Sequence, residues 1–107
     1  MKQIKNFIDG QFVASKTWFD KRSPVDNTLI AQVAEAGQTD VDTAVKAARA
    51  ALNGPWGQMA IADRVDLLYG VADEINRRFD DFLEAECADT GKPMSLARHV
   101  DIPRGAA

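Results

Sequence analysis

The 107 residues predict an α/β chain, with a β-hairpin and strands over residues 1–36 followed by a helical segment over residues 39–107. Three observations carry this expectation. Asp9-Gly10 sits between the apolar pairs Phe7-Ile8 and Phe12-Val13, Leu29 to Ala34 alternates as a strand does, and from Val41 onward apolar residues recur at helical spacing.

Asp and Gly both tolerate the positive φ of a tight turn, so the apolar pairs on either side of them are expected to form a hairpin. Trp18-Phe19 opens a second extended segment that runs to Arg22. Pro24-Val25-Asp26-Asn27-Thr28 reads as a turn, with Pro24 fixing φ and Asn27 suited to a left-handed conformation. Leu29, Ala31 and Val33 then alternate with Ile30, Gln32 and Ala34, which predicts a strand with one face better buried. Thr39-Asp40-Val41-Asp42 resembles a capping box, with Asp42 in place of the usual Glu or Gln. Val41, Ala44, Val45, Ala48 and Leu52 follow along one helix, which Asn53-Gly54-Pro55 ends. A second helix is expected from about Ala62 to Arg78, with Val65, Leu68, Ala72, Ile75 and Phe79 on one side and no Ser or Thr cap at its start. Asp80 is suited to cap a third helix, with Phe82, Leu83 and Cys87 inward and Gly91 as its left-handed terminator. Ser95 is suited to cap a fourth, which Pro103 must kink or restart because it lacks an amide donor.

This length allows one small domain with a modest core. Hydrophobic residues make up 46% and charged residues 27%, an ordinary soluble composition. The net charge of -3 argues against nucleic-acid binding, which calls for a basic face; Arg77-Arg78 reads as solvated surface. One cysteine excludes an internal disulfide and fits a reducing compartment. The first residues lack the apolar run of a signal peptide, and no stretch has the length to span a membrane. A soluble, cytoplasmic protein is the expectation. Arg104-Gly105-Ala106-Ala107 ends the sequence without a closing cap, which suggests a piece of a larger protein.

No complete catalytic set emerges. Glu84, Glu86 and Asp89 surround Cys87 and oppose a thiolate, so a structural thiol is the better reading. His99 has no partner at a diagnostic spacing and reads as an exposed helical residue. Cys87 and His99 alone cannot make a zinc site. Gly91-Lys92 falls short of a phosphate loop, because Glu86 stands where the first glycine belongs and Pro93 follows the lysine. Two residues survive. Asp89 lies in a last helical turn, where its charge is favourable either beside a hard cation or as a cap for the Thr90 or Gly91 amide. Arg104 can hold a carboxylate through two parallel hydrogen bonds, or form an ordinary surface salt bridge.

The hairpin Asn6-Phe7-Ile8-Asp9-Gly10-Gln11-Phe12-Val13, the turn at Pro24, Asp42-Thr43-Ala44-Val45-Lys46-Ala47-Ala48-Arg49, Trp56, Arg64 and Asp89-Thr90-Gly91-Lys92-Pro93 resemble, in order and spacing, the start of an aldehyde dehydrogenase. The resemblance covers essentially the whole chain. Asn27 and Ser23 depart in a minor way, standing where the family often has glycine and asparagine. Gly54-Pro55-Trp56-Gly57, Phe82 to Cys87 and Asp101-Ile102-Pro103-Arg104-Gly105-Ala106-Ala107 look like the branch that acts on 2-hydroxymuconic semialdehyde, with the 2-aminomuconic enzymes close by.

The resemblance implies a piece of a Rossmann-like NAD-binding domain in a homo-oligomer, dimer or tetramer. It implies oxidation of a semialdehyde to the dicarboxylate in aromatic degradation, through a cysteine thiolate and hydride transfer to NAD. The family's nucleophile, general base, oxyanion-hole asparagine and glycine-rich cofactor segments are expected beyond Ala107, and Cys87 does not match the nucleophile's motif. Arg104 matches the arginine that contacts the substrate carboxylate in this branch. Asp89 matches the aspartate that some members use to bind a structural Na⁺ or K⁺, which the backbone carbonyls of Lys21 and Arg22 would complete. On this reading the 107-residue chain is inactive alone. A self-standing acidic helical module that binds a partner through its apolar faces explains the composition equally well, but not the order of motifs.

Overall fold

A computed structural model describes residues 2–107, which fall into two compact units, each taken here by itself. One holds the chain up to Arg22 together with Thr28–Met59; the other holds Ser23–Asn27 with Ala60–Ala107.

In the first unit, β1 (Lys2–Ile4), β5 (Leu29–Ala34) and β4 (Trp18–Arg22) form a sheet with β5 in the centre, parallel to β1 and antiparallel to β4. Three residues of mixed polarity carry no readable period, which is why β1 escapes a sequence reading. The burial of β5 differs from the expected single face. Its buried residues are Ala31 and Ala34, three apart and so on opposite faces. A strand with neighbours on both edges has both faces to cover, and here each is closed over one small side chain.

β2 (Asn6–Ile8) and β3 (Gln11–Val13) form the expected hairpin, with φ of 50° at Asp9 and 76° at Gly10. Both turn residues are left-handed, as a turn matched to strand twist requires. Phe7 and Phe12 meet edge to face across the ladder, ring centroids 5.1 Å apart.

α1 (Gln38–Ala51) starts two residues earlier than the Thr39 reading has it. Gly37 is the N-cap, and its amide donates to Asp40 Oδ2 at 3.0 Å. Asp40 therefore does the work expected of Asp42, whose carboxylate instead accepts from the Gln38 side chain at 2.8 Å. Asn53-Gly54 ends the helix, and Pro55 opens the single turn α2 (Pro55–Gln58) as its first residue.

In the second unit, α3 (Ile61–Arg77) starts at Ala60 without a side-chain cap, as the sequence implies. One residue, Arg78 at φ -104° and ψ 29°, separates it from α4 (Phe79–Thr90). Asp80 thus lies inside the first turn and does not cap the helix; an acidic charge there still complements the helix dipole. Gly91 closes α4 at φ 71°, its amide donating to the Cys87 carbonyl at 3.0 Å. Asn27 is likewise left-handed at φ 60°, and its amide donates to the Ser23 carbonyl at 2.9 Å.

The final helical run departs most from expectation. It passes from α5 (Met94–Leu96) through a π-helical turn, Ala97–Asp101, into α6 (Ile102–Ala106). Pro93, not Ser95, is the N-cap, and its carbonyl accepts from Leu96 at 3.1 Å and Ala97 at 3.2 Å. Pro103 falls in the first turn of α6, where the α-helix restarts after the π turn, as its missing amide donor predicts. The wider π turn just before it lets the Ile102 amide reach the Ala97 carbonyl, five residues back. That extra residue moves the preceding carbonyls away from the proline ring, so helical φ and ψ continue through Asp101 and Ile102. The core of this unit is Leu83, Ala97 and Ile102, with Ile75, Phe79 and Cys87 packed against it. Phe82, expected inward, is 41% exposed. Among the described residues no helix is long and apolar enough to cross a membrane.

Candidate functional site

Arg104 projects from α6 as an exposed side chain. Its helix is anchored just before it, where Ile102 is 8% exposed and Ala97 is fully covered in the core. Arg104 makes no ion pair among the described residues. An exposed guanidinium on an anchored helix can accept a carboxylate in a two-bond fork at low ordering cost.

The carboxylate nearest to it in sequence, Asp101, is already engaged. Lys92 follows the left-handed Gly91 and donates from Nζ to Asp101 Oδ1 at 2.9 Å. That hydrogen bond raises the Lys92 pKa above the usual lysine value, against a smaller desolvation effect. Asp101 Oδ2 is shut off from solvent and has no donor among the described residues. The pairing explains why Gly91-Lys92 is no phosphate loop: its lysine braces a helix. Sequence reading missed this pair, since a nine-residue spacing across a turn has no signature. The left-handed glycine just before Lys92 was the only hint.

Two arginine pairs elsewhere in this unit follow the helical repeat, whereas Arg98 approaches Asp80 of α4 at 4.0 Å. Arg77 bonds Glu74, three residues before it, and Arg78 Nε donates to Asp81 Oδ2 at 3.2 Å. The Arg77 hydrogen bond lowers the Glu74 pKa and raises that of Arg77. The adjacent basic pair is therefore paired surface.

The other sequence candidates fall in separate places. Asp89 is an exposed residue in the last turn of α4. The Gly91 amide beyond it donates to the Cys87 carbonyl at 3.0 Å. Lys21 and Arg22 end β4, opposite Ala31 and Leu29, with a bulge between them. No group of three or more His, Cys, Asp and Glu side chains able to hold a metal occurs among the described residues. Cys87 is half-buried against the Leu83 cluster, as a structural thiol would be, and His99 is exposed in the π turn. The β5–α1 connection holds one glycine, Gly37, which caps α1.

A family model for aldehyde dehydrogenases matches residues 12–107. The chain belongs to the aldehyde dehydrogenase family. It is 60% identical over its whole length to 2-hydroxymuconic semialdehyde dehydrogenase of Pseudomonas sp. (strain CF600) and 51% identical to a 2-aminomuconic 6-semialdehyde dehydrogenase of Pseudomonas sp.. It covers 22% of each of these relatives. Among solved structures, the NAD⁺ complex of an aldehyde dehydrogenase from Bacillus cereus superposes with a TM-score of 0.94 at 38% identity, over 98% of this chain and 22% of that one. The α/β order of strands followed by helices is thus a portion of the aldehyde dehydrogenase domain.

Proposed function

We propose that this chain is the N-terminal part of an NAD-dependent dehydrogenase that oxidises 2-hydroxymuconic semialdehyde to the dicarboxylate in the catechol meta-cleavage route of aromatic degradation. The observation that carries this is 60% identity, across the entire chain, to a relative named for that substrate. In this reading Arg104 clamps the carboxylate that the semialdehyde carries away from its reacting aldehyde. Its exposure, its anchored helix and its freedom from ion pairs among the described residues support that role. The thiolate attack and hydride transfer belong to residues outside this sequence, and NAD, when bound there, accepts the hydride.

The isolated 107 residues are accordingly expected to be inactive. The complete enzyme is expected to be a cytoplasmic homo-oligomer. Family resemblance alone supports Asp89, with the Lys21 and Arg22 carbonyls, as ligands for a structural Na⁺ or K⁺.

The test is Arg104→Ala in a complete enzyme carrying this segment. A charged hydrogen-bonded pair is worth about 1.5–3 kcal/mol, so KM for the acidic semialdehyde should rise roughly 10- to 100-fold while a neutral aldehyde is little affected. Equal effects on both substrates would overturn the clamp.

A further inference from the structure

We propose that Lys92 keeps Arg104 available for an incoming carboxylate by occupying Asp101, the acidic residue three positions before it. The inference rests on the reading of Arg104 as a carboxylate clamp, and makes Lys92 a positioning residue for substrate specificity.

Arginine and an acidic residue three apart on a helix are neighbours and pair readily. This chain shows the pattern within a helix in Arg77 with Glu74, and at a helix start in Arg78 with Asp81. Arg104 stands to Asp101 as Arg77 stands to Glu74, in the same order and spacing, and the backbone between them is helical. Yet Arg104 takes no partner among the described residues, while Asp101 accepts from Lys92 Nζ at 2.9 Å.

The difference lies in how Asp101 is held. Its side chain is 26% exposed, against 51% for Glu74, and its second oxygen is closed to solvent. The left-handed turn at Gly91 then delivers a lysine to its first oxygen. Without that lysine, Asp101 would act against an acidic substrate in two ways. It would compete for the Arg104 guanidinium, and its uncompensated charge would repel the arriving carboxylate. One ammonium group removes both effects. Because the hydrogen bond raises its pKa, Lys92 stays charged at the pH of any ordinary assay.

The competing pair would be partly exposed, so the expected effect is modest. If Arg104 were engaged for half to four-fifths of the time, apparent substrate affinity would fall about two- to fivefold. The test compares variants of a complete enzyme carrying this segment, on a carboxylate-bearing semialdehyde and on a neutral aldehyde. Lys92→Met should raise KM for the acidic substrate about two- to fivefold and leave the neutral one unchanged. Asp101→Asn should stay near wild type, and the double variant should return to wild type, because no carboxylate remains to capture Arg104. A lysine that merely braced the helix would behave differently: Asp101→Asn would be as harmful as Lys92→Met, and the double variant would not recover. Either of those results overturns the proposal.

Arg104→Ala separates this proposal from the reading beneath it. If that variant loses acidic substrate selectively while Lys92→Met does not, the clamp stands and the role of Lys92 falls. If Arg104→Ala shows no selectivity, both fall. Should Lys92→Met fail to fold, Lys92→Gln carries the same comparison.

Discussion

Replacing Gly91 by alanine tests how the end of α4 is built. At φ 71° an L-residue meets its own following carbonyl, which costs about 1–2 kcal/mol. The added Cβ would also lie 3.0 Å from Pro24 Cγ and 3.5 Å from Val25 Cγ2. A proline ring cannot rotate aside, so the turn at Ser23–Asn27 must shift by a few tenths of an ångström. Strain and contact together suggest a loss of about 2 kcal/mol. The same substitution at Gly70, inside α3, should do the opposite. A Cβ there meets nothing within 4 Å, and alanine restores about 0.5–1 kcal/mol of helix propensity. Urea unfolding of the two variants, followed by helical circular dichroism, should therefore place their stabilities on either side of wild type, about 2–3 kcal/mol apart. Gly91→Ala unfolding at or above the wild-type midpoint would refute the reasoning, as would both variants shifting in the same direction.

Leu83→Ala, which empties the centre of the Ala97–Ile102 cluster, should cost about 2–5 kcal/mol in the same unfolding assay. Cys87→Ser in a complete enzyme should leave kcat within about twofold of wild type, because the thiol packs against a core as a structural residue does. A total loss of activity with normal folding would contradict that. The Lys92–Asp101 pair also predicts a pH dependence. A lysine whose folded pKa is raised lends stability that is fully present below the unfolded value, ordinarily 10.5, and lost as pH climbs through the folded one. The stability gap between wild type and Lys92→Met should thus be level from about pH 7 to 9 and narrow as the solution becomes more alkaline than that. A gap that closes within that window would place the lysine's titration elsewhere.

Much of this fold is legible in the sequence wherever a single residue type has a single conformational meaning. Asp9-Gly10, Asn27 and Gly91 each take the left-handed conformation their identity suggests, and they set the hairpin, the turn and the end of α4. Caps are harder to read because several acidic or hydroxyl residues compete within one turn. Geometry selected Asp40 over Asp42, and placed Asp80 and Ser95 inside their helices. The π turn escaped because it answers to Pro103 from several residues away, and no local pattern announces that accommodation. The site divides the same way. Arg104 could be singled out from its proline-arginine context, but the Lys92–Asp101 bond could not, since a separate turn brings that lysine to Asp101.

The most direct measurement is the rate of NAD reduction by a complete enzyme carrying this segment, with 2-hydroxymuconic semialdehyde and with a neutral aldehyde of similar length. The expected result is a kcat/KM preference of roughly tenfold or more for the acidic substrate, which Arg104→Ala brings close to unity. Equal kcat/KM for the two aldehydes in the wild-type enzyme would contradict the proposed function.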